Sequence, residues 1–129
     1  METRITMEGV VGTEPDLSIT KSGKSVAKVR MAHTERVRKE DGTWEDGDTT
    51  WYTVTSWGNM AERVAENVHK GDRCLVTGRF RIQEWTQADG TPRTTPEITA
   101  DTFAVVPRLS PSQGPQRRQS QSYSDESPF

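Results

Sequence analysis

Three of the tryptophans in this chain lie in strand-like segments at positions that favour exposure on one face. Trp51 and Trp57 are an even number of residues apart in a run rich in threonine, so both side chains project from the same face of a strand. Trp85 ends a second run in which Arg79 and Arg81 share its face. Exposed indoles are surfaces on which bases stack, and guanidinium groups pair with phosphates. The combination therefore favours a single-stranded nucleic acid as the partner.

These tryptophans have a second explanation, because large apolar side chains are often buried in a core or at a subunit interface. For a single tryptophan the two explanations are about equally good. Because three tryptophans lie on faces opposite the aliphatic residues, exposure as stacking platforms is favoured over burial. Trp44 lies in an acid-rich segment, where both a loop contact and an auxiliary stacking role stay open.

The cations that could contact phosphates form a stronger and a weaker group. The stronger group lies on predicted strands opposite apolar residues: Lys28, Arg30, Arg79 and Arg81. The weaker group lies on a hairpin arm or beside a helix end: Arg36, Arg38, Lys70 and Arg73. Any one of them is most simply a solvated surface residue. The presence of tryptophans on the same faces favours a phosphate track for the stronger group.

Composition narrows the possible classes of protein. The 129 residues suffice for one domain and a tail, and only 30% of them are hydrophobic. With 17 Lys and Arg against 19 Asp and Glu the net charge is −2, so total charge does not by itself indicate a nucleic-acid partner. The single cysteine, Cys74, excludes an intrachain disulfide, and no residue spacing indicates a catalytic site, a metal site or a cofactor. No apolar run is long enough to cross a membrane, so we expect a cytoplasmic protein.

Period-two alternation predicts strands over 4–12, 17–20, 26–37, 50–57, 73–85 and 98–106. In the fifth of these strands, Ile82 falls on the apolar face. The segment 39–49 contains two glycines and a cluster of acids, which predicts a solvated hairpin loop. A helical period follows the tryptophan strand, with Asn59 as N-cap, Glu62 completing the cap and Gly71 as the C-terminal stop.

This order of elements predicts the fold class. One helix cannot connect the strands of a parallel sheet, so the sheet should be mostly antiparallel. The pattern is typical of an all-β OB-fold, a five-stranded antiparallel Greek-key barrel with one short helix. We place this domain at residues 1–109. Residues 110–129 are rich in Ser, Gln and Pro, which predicts a disordered C-terminal tail.

Two segments, 50–62 and 68–79, followed by Trp85-Thr86 and Asp89-Gly90, resemble the bacterial single-stranded DNA-binding protein family. The likeness covers residues 3–106. It implies an OB-fold, a homotetramer, and sequence-independent wrapping and protection of single-stranded DNA in replication, recombination and repair. It implies no cofactor and no enzymatic activity. It also implies a cytoplasmic, nucleoid-associated location.

The resemblance assigns roles to particular residues. Trp51, Trp57 and Trp85 resemble the stacking aromatics of the family, and Arg81 resembles a contact to the DNA backbone. Val37 stands where a further stacking tryptophan is usual, so that platform is missing or has moved to Trp44. Positions that are often basic in the family are neutral or acidic in this chain: Asn59, Gln83 and Glu84.

The end of the chain resembles the family's partner-binding tip in a reduced form. The matching residues are Asp125, Glu126, Pro128 and Phe129. Fewer acids and a serine before the proline imply weakened recruitment of replication and repair proteins, and an accessory, phage or plasmid version of the family. The alternative function is an OB-fold adaptor of a primosome-type assembly that chiefly binds proteins. An RNA-binding OB-fold is a third possibility.

Overall fold

In a computed structural model, which describes residues 1–107, the chain forms six strands and one helix. The elements are β1 (Thr3–Val11), β2 (Asp16–Ile19), β3 (Ser25–Arg38), β4 (Trp44–Trp57), α1 (Asn59–Asn67), β5 (Arg73–Thr86) and β6 (Pro92–Val105). The predicted tail and its boundary at residue 109 lie outside the described residues. So do the four residues of the predicted tip: Asp125, Glu126, Pro128 and Phe129.

The strands form one sheet in the order β1-β5-β6-β4-β3-β2, and β1 also pairs with β3. Five strands therefore pair in a ring, which is the OB-fold arrangement, and the short β2 adds a sixth strand beside β3. The sheet is mostly antiparallel, as predicted, with one exception: β4 and β6 are parallel over three residue pairs. A ring of five strands cannot alternate direction at every step, since full alternation needs an even number of strands.

The core lies on the inward faces that alternation predicts. In β3 the buried side chains include Val29 and Met31, and in β4 Val54 is buried, while their sequence neighbours of opposite parity are more exposed. The helix α1 packs its buried Ala61 and Val64 against this core. Residues that face outward on β3 and β4 are thereby fixed in position by the packing of the inward ones.

The helix begins one residue earlier than its predicted cap would place it. Gly58 occupies the N-cap position with φ 66°, a conformation that glycine adopts without steric cost, and Asn59 is the first helical residue. Glu62 does not complete a cap, because its carboxylate accepts a hydrogen bond of 3.0 Å from the Ser25 hydroxyl. The helix ends at Asn67, so Lys70 and Gly71 lie beyond its last turn.

The predicted loop over 39–49 is mostly strand. Only a short turn remains, in which Lys39 and Thr43 pair through a backbone hydrogen bond of 2.7 Å, and β4 starts at Trp44. The acids of this segment are accommodated on an exposed strand, where Arg36 lies 3.7 Å from Asp46 on the facing strand. Backbone pairing of β4 with β3 thus extends the hairpin into part of the segment that the clustered acids predicted as a loop.

The β5–β6 hairpin also extends further than predicted, because β6 begins at Pro92 and not at Ile98. Its turn is closed by Gln87 and Thr91, which pair through a backbone hydrogen bond of 2.9 Å. Ile82 was expected on the apolar face but is 51% exposed, since β5 has left the barrel at this point. Within residues 1–107 there is no helix of the length and apolarity that a membrane crossing requires.

Candidate nucleic-acid interface

A row of four paired residues crosses the outward face of the sheet from β3 to β5. Lys28 pairs with Thr55, Thr55 with Thr99, and Thr99 with Arg79. Directly paired residues project from the same face, so the row has a cation at each end and two threonines between them. Three strand spacings separate the ends, a distance of about 14 Å. We call it the first row.

A second row runs parallel to the first, two residues along each strand. Arg30 pairs with Thr53, Thr53 with Glu97, and Glu97 with Arg81. It also has a cation at each end, but a carboxylate occupies the place that Thr99 has in the first row. Four predicted phosphate contacts are thus brought onto one face by strands that are far apart in sequence.

Two tryptophans flank these rows on β4. Trp51 lies one row beyond Thr53, and Trp57 lies one row beyond Thr55, so the indoles are about 20 Å apart along the strand. They are 44% and 45% exposed, which excludes the alternative that they are core residues of this chain. The Arg30 guanidinium carbon lies 5.5 Å from the centre of the Trp51 ring, within the range of a cation–π contact.

The first row and Trp57 line an open groove of about 630 Å³. Thr55 forms part of its wall and is 95% buried, so the groove is bounded there by the sheet itself. Besides the first row and Trp57, the groove is lined by Met1, Glu2, Thr3, Phe80, Arg81 and Glu97. The groove thus combines an indole, on which a base can stack, with cations that can contact phosphates, as binding of a single-stranded nucleic acid requires.

Part of this positive charge is already paired within the chain. Arg81 Nε donates a hydrogen bond of 2.8 Å to Glu97 Oε1, and Arg79 Nε lies 4.0 Å from Glu2 Oε1. Lys28 and Arg30 form no ion pair within the described residues. The two cations of β3 are therefore the ones most available to phosphate.

Trp85 lies on the β5–β6 arm and not beside the other two platforms. It pairs with Arg93, and its Nε1 donates a hydrogen bond of 3.0 Å to the Thr95 hydroxyl. The ring is 46% exposed and shares the outward face of β5 with Arg81, four residues earlier. The arm can thus extend the surface of the two rows by about 13 Å.

The β3–β4 arm carries three further predicted contacts. Trp44 is 56% exposed and pairs with Arg38 beside the turn, seven residues from Trp51. Arg36 is paired with Asp46. Val37, which stands at the missing family platform, is 42% exposed and packs near Gly47. None of these residues lines the groove beside Trp57.

The remaining predicted cations lie elsewhere on the described chain. Arg73 begins β5, six residues before Arg79, and its guanidinium lies 3.1 Å from Glu8. Lys70 lies in the turn after α1, where its backbone N–H donates a hydrogen bond of 2.9 Å to Glu14. The structure does not bring these two residues to the rows.

Sequence reasoning missed two residues that shape this surface. Glu97 faces Arg81 only because of the β5–β6 register, which no local pattern reveals. Gly12 lies against the edge of the Trp51 ring, where a β-carbon would come within 2.5 Å of it. A glycine directly after an alternating strand was a signal of close approach, although it did not identify the partner.

Other kinds of site find little support in the described residues. Cys74 is fully buried, and burial raises the pKa of its thiol to about 11, which disfavours the thiolate that a nucleophile needs. In the described range, residues 1–107, no three His, Cys, Asp or Glu side chains cluster as metal ligands would.

Comparison with known proteins gives concordant matches. The model of the single-strand binding protein family matches residues 2–106. A single-stranded DNA-binding protein of Corynebacterium glutamicum is 39% identical over 101 residues, covering 78% of this chain and 45% of the relative. Single-stranded DNA-binding protein 2 of Tropheryma whipplei is 36% identical over 100 residues, covering 77% of this chain and 65% of the relative. The chain thus spans less than two thirds of either relative.

A solved structure shows the same fold. The small single-stranded DNA-binding protein of Streptomyces coelicolor superposes with a TM-score of 0.75 at 27% identity. The superposition covers 81% of this chain and 94% of that one.

Proposed function

This chain belongs to the single-strand binding protein family, and from that membership we propose that it binds single-stranded DNA without regard to base sequence. The observation that carries the proposal is the order of groups along β4: an exposed indole, two rows with cations, and a second exposed indole. Bases stack on Trp51 and Trp57 through π-faces that every base has, while Lys28 and Arg30 contact phosphates.

The proposed cellular role is protection of single-stranded DNA during replication, recombination and repair, in the cytoplasm and at the nucleoid. The role is that of a binding protein and not an enzyme. It follows from the family resemblance together with a surface that carries exposed indoles for base faces and cations for phosphates.

Titration with oligo(dT), followed by tryptophan fluorescence, tests the proposal. Stacking on exposed indoles should quench emission, and a mixed-sequence oligonucleotide of equal length should bind with similar affinity. A duplex of the same length serves as the control and should compete poorly, because its bases are not free to stack. Absence of quenching by oligo(dT) at low salt would refute the proposal. Preference for oligo(U) in competition would favour the RNA-binding alternative.

The adaptor alternative is not favoured, because the matched relatives are named for single-stranded DNA binding. The two functions differ in whether captured proteins stay bound after nuclease treatment. Affinity capture from a cell extract, with and without nuclease treatment, separates them. An adaptor keeps its protein partners after nuclease, whereas partners held through DNA are lost.

We also propose a homotetramer. The strand β1 pairs with β5 from Thr3 to Val10 but with β3 only at Val10 and Val11, so most of its second edge has no strand partner within the described chain. An open strand edge offers unpaired backbone groups to another strand, which supports self-association. Light scattering should give four times the 14.5 kDa of one chain, and a monomer mass would contradict the proposal.

Recruitment of replication and repair proteins through the tip stays a proposal from resemblance. The tip consists of Asp125, Glu126, Pro128 and Phe129. Loss of captured proteins from a Phe129→Ala variant, with DNA binding unchanged, would support it. Identical capture by both forms would contradict it.

A further inference from the structure

The two rows of the interface differ at one position. In the first row two threonines separate Lys28 from Arg79, whereas in the second row Thr53 and Glu97 separate Arg30 from Arg81. A carboxylate therefore stands on the face that is proposed to meet phosphates. Its position is fixed by the sheet, because Ile98, the next residue, is fully buried.

Glu97 is more sheltered than the other carboxylates that form ion pairs. Its side chain is 15% exposed, whereas the partner carboxylates of the remaining ion pairs in the described residues are 47% to 74% exposed. The Arg81 side chain is 67% exposed and so can be reached from solvent. An ion pair with one sheltered partner is screened less by water and salt than a fully exposed pair.

Two of the five N–H donors of Arg81 are engaged within the chain. Arg81 donates from Nε to Glu97 at 2.8 Å and from Nη2 to Gln83 at 2.6 Å. A guanidinium recognises carboxylate and phosphate with the same planar fork, so the two anions compete for it. A phosphate at Arg81 must displace Glu97 or share the guanidinium with a nearby negative charge.

We infer that Glu97 is a built-in competitor of phosphate at Arg81, which lowers the affinity of the second row for single-stranded DNA. The inference rests on the proposed function. It assigns an affinity-determining role to a residue that does not itself contact the strand. The consequence is a surface on which DNA is held mainly through the first row, Arg30 and the stacking platforms, and exchanges readily at Arg81.

A different role for Glu97 is to hold Arg81 in the orientation that binds phosphate. The two roles predict opposite results when the charge is removed and the hydrogen bond is kept. Glu97→Gln does this, because the amide oxygen can still accept from Arg81 Nε. Glu66→Gln is the matched control, since it removes the same charge from an exposed position on α1.

The experiment measures the dissociation constant for oligo(dT) over a series of salt concentrations. Glu97→Gln should bind about three- to tenfold tighter at low salt, the effect of one added phosphate contact. The slope of log K against log salt should become steeper by about 0.7, as one further counterion is released from single-stranded DNA. Glu66→Gln should leave both quantities near the wild-type values.

A second substitution identifies Arg81 as the group that is released. Arg81→Gln in the Glu97→Gln background should abolish the gain in affinity and return the salt slope to the wild-type value. A gain that persists without Arg81 would overturn the inference. If thermal unfolding shows that Glu97→Gln is poorly folded, Glu97→Thr can replace it. This variant also removes the charge, and it introduces the residue type that Thr99 has at the corresponding position of the first row.

The remaining outcomes separate the inference from the proposed function. If the wild type binds oligo(dT) and Glu97→Gln binds equally or more weakly, Glu97 orients Arg81 and the inference fails alone. An equal gain in affinity for Glu66→Gln would show that the change in net charge alone causes the effect, and this result would also overturn the inference. If neither the wild type nor Glu97→Gln binds at low salt, the proposed function fails and the inference with it.

Discussion

Gly12 controls the position of the Trp51 platform, and Gly12→Ala should weaken binding through that ring alone. A β-carbon at residue 12 would lie 2.5 Å from Cζ3 and 2.8 Å from Cη2 of Trp51. Carbon atoms pack at about 3.5–4.0 Å, so the ring must move by about 1 Å or rotate. Because Trp51 is 44% exposed, it can move outward without opening the core.

The size of the effect follows from what the moved ring loses. Its contact with Arg30, at 5.5 Å from the ring centre, contributes about 0.5–1 kcal/mol at an exposed site. Complete loss of a stacking platform costs about 1–3 kcal/mol per base, which is the effect we expect for Trp51→Ala. A misplaced ring should cost part of this, about 0.5–1.5 kcal/mol, or roughly a two- to tenfold increase in Kd.

The assay is a titration of oligo(dT) with four proteins: wild type, Gly12→Ala, Trp51→Ala and the double variant. If alanine acts through the ring, it should have no further effect once Trp51 is absent, so the double variant should match Trp51→Ala. Thermal unfolding should change little, because Gly12 has no positive φ and its backbone hydrogen bond to Arg30 can be kept. Equal losses in both backgrounds, or unchanged affinity of Gly12→Ala, would refute this reasoning.

Three further predictions concern stability and reactivity. Gly78→Ala should lower the free energy of unfolding by roughly 3 kcal/mol or more, because the added β-carbon would overlap the Thr99 carbonyl oxygen. Urea denaturation measures this change, and a small change would contradict the prediction. The Cys74 thiol, with its pKa raised to about 11, should react with a thiol reagent at mildly alkaline pH only after denaturant is added. The pKa of Glu14 is lowered in the folded chain, first by the hydrogen bond from the Lys70 N–H and then by that from His69. The ionised Glu14 therefore stabilises the fold above pH 4.5, and this contribution is lost as the pH falls through the lower pKa of the folded state. Glu14→Gln should therefore reduce stability near neutral pH and flatten the acid side of the stability profile, and an unchanged profile would count against it.

Local alternation was enough to predict which residues of β3 and β4 face outward beside the two rows, although it failed for Ile82 on the arm of β5. Trp51 and Trp57 are exposed while Val54 and Ser56 between them are buried, as the period of two requires. The same rule correctly placed Lys28 and Arg30 outward on β3. These predictions succeed because the direction of a side chain depends only on its own strand and on which face is apolar.

Pairing between distant strands could not be predicted in the same way. The register that places Glu97 between Thr53 and Arg81 depends on how the ring closes, and the parallel β4–β6 contact is a consequence of five strands in that ring. The loop predicted over the acid-rich segment 39–49 is wrong for a different, local reason. The charges of the segment predicted a solvated loop, but residues 44–49 form part of β4, and Arg36 of β3 lies opposite Asp46.

A net charge of −2 does not prevent this chain from presenting unpaired cations on one surface. Arg81 is held by Glu97, while Lys28 and Arg30 form no ion pair within the described residues. The total charge counts every cation equally, whereas a phosphate interacts with those that have no nearby carboxylate. Because few cations beside the two exposed indoles are free of a nearby carboxylate, we expect base stacking to supply a large share of the binding energy. Binding by such a surface should tolerate salt better than binding by an arginine-rich groove of the same length.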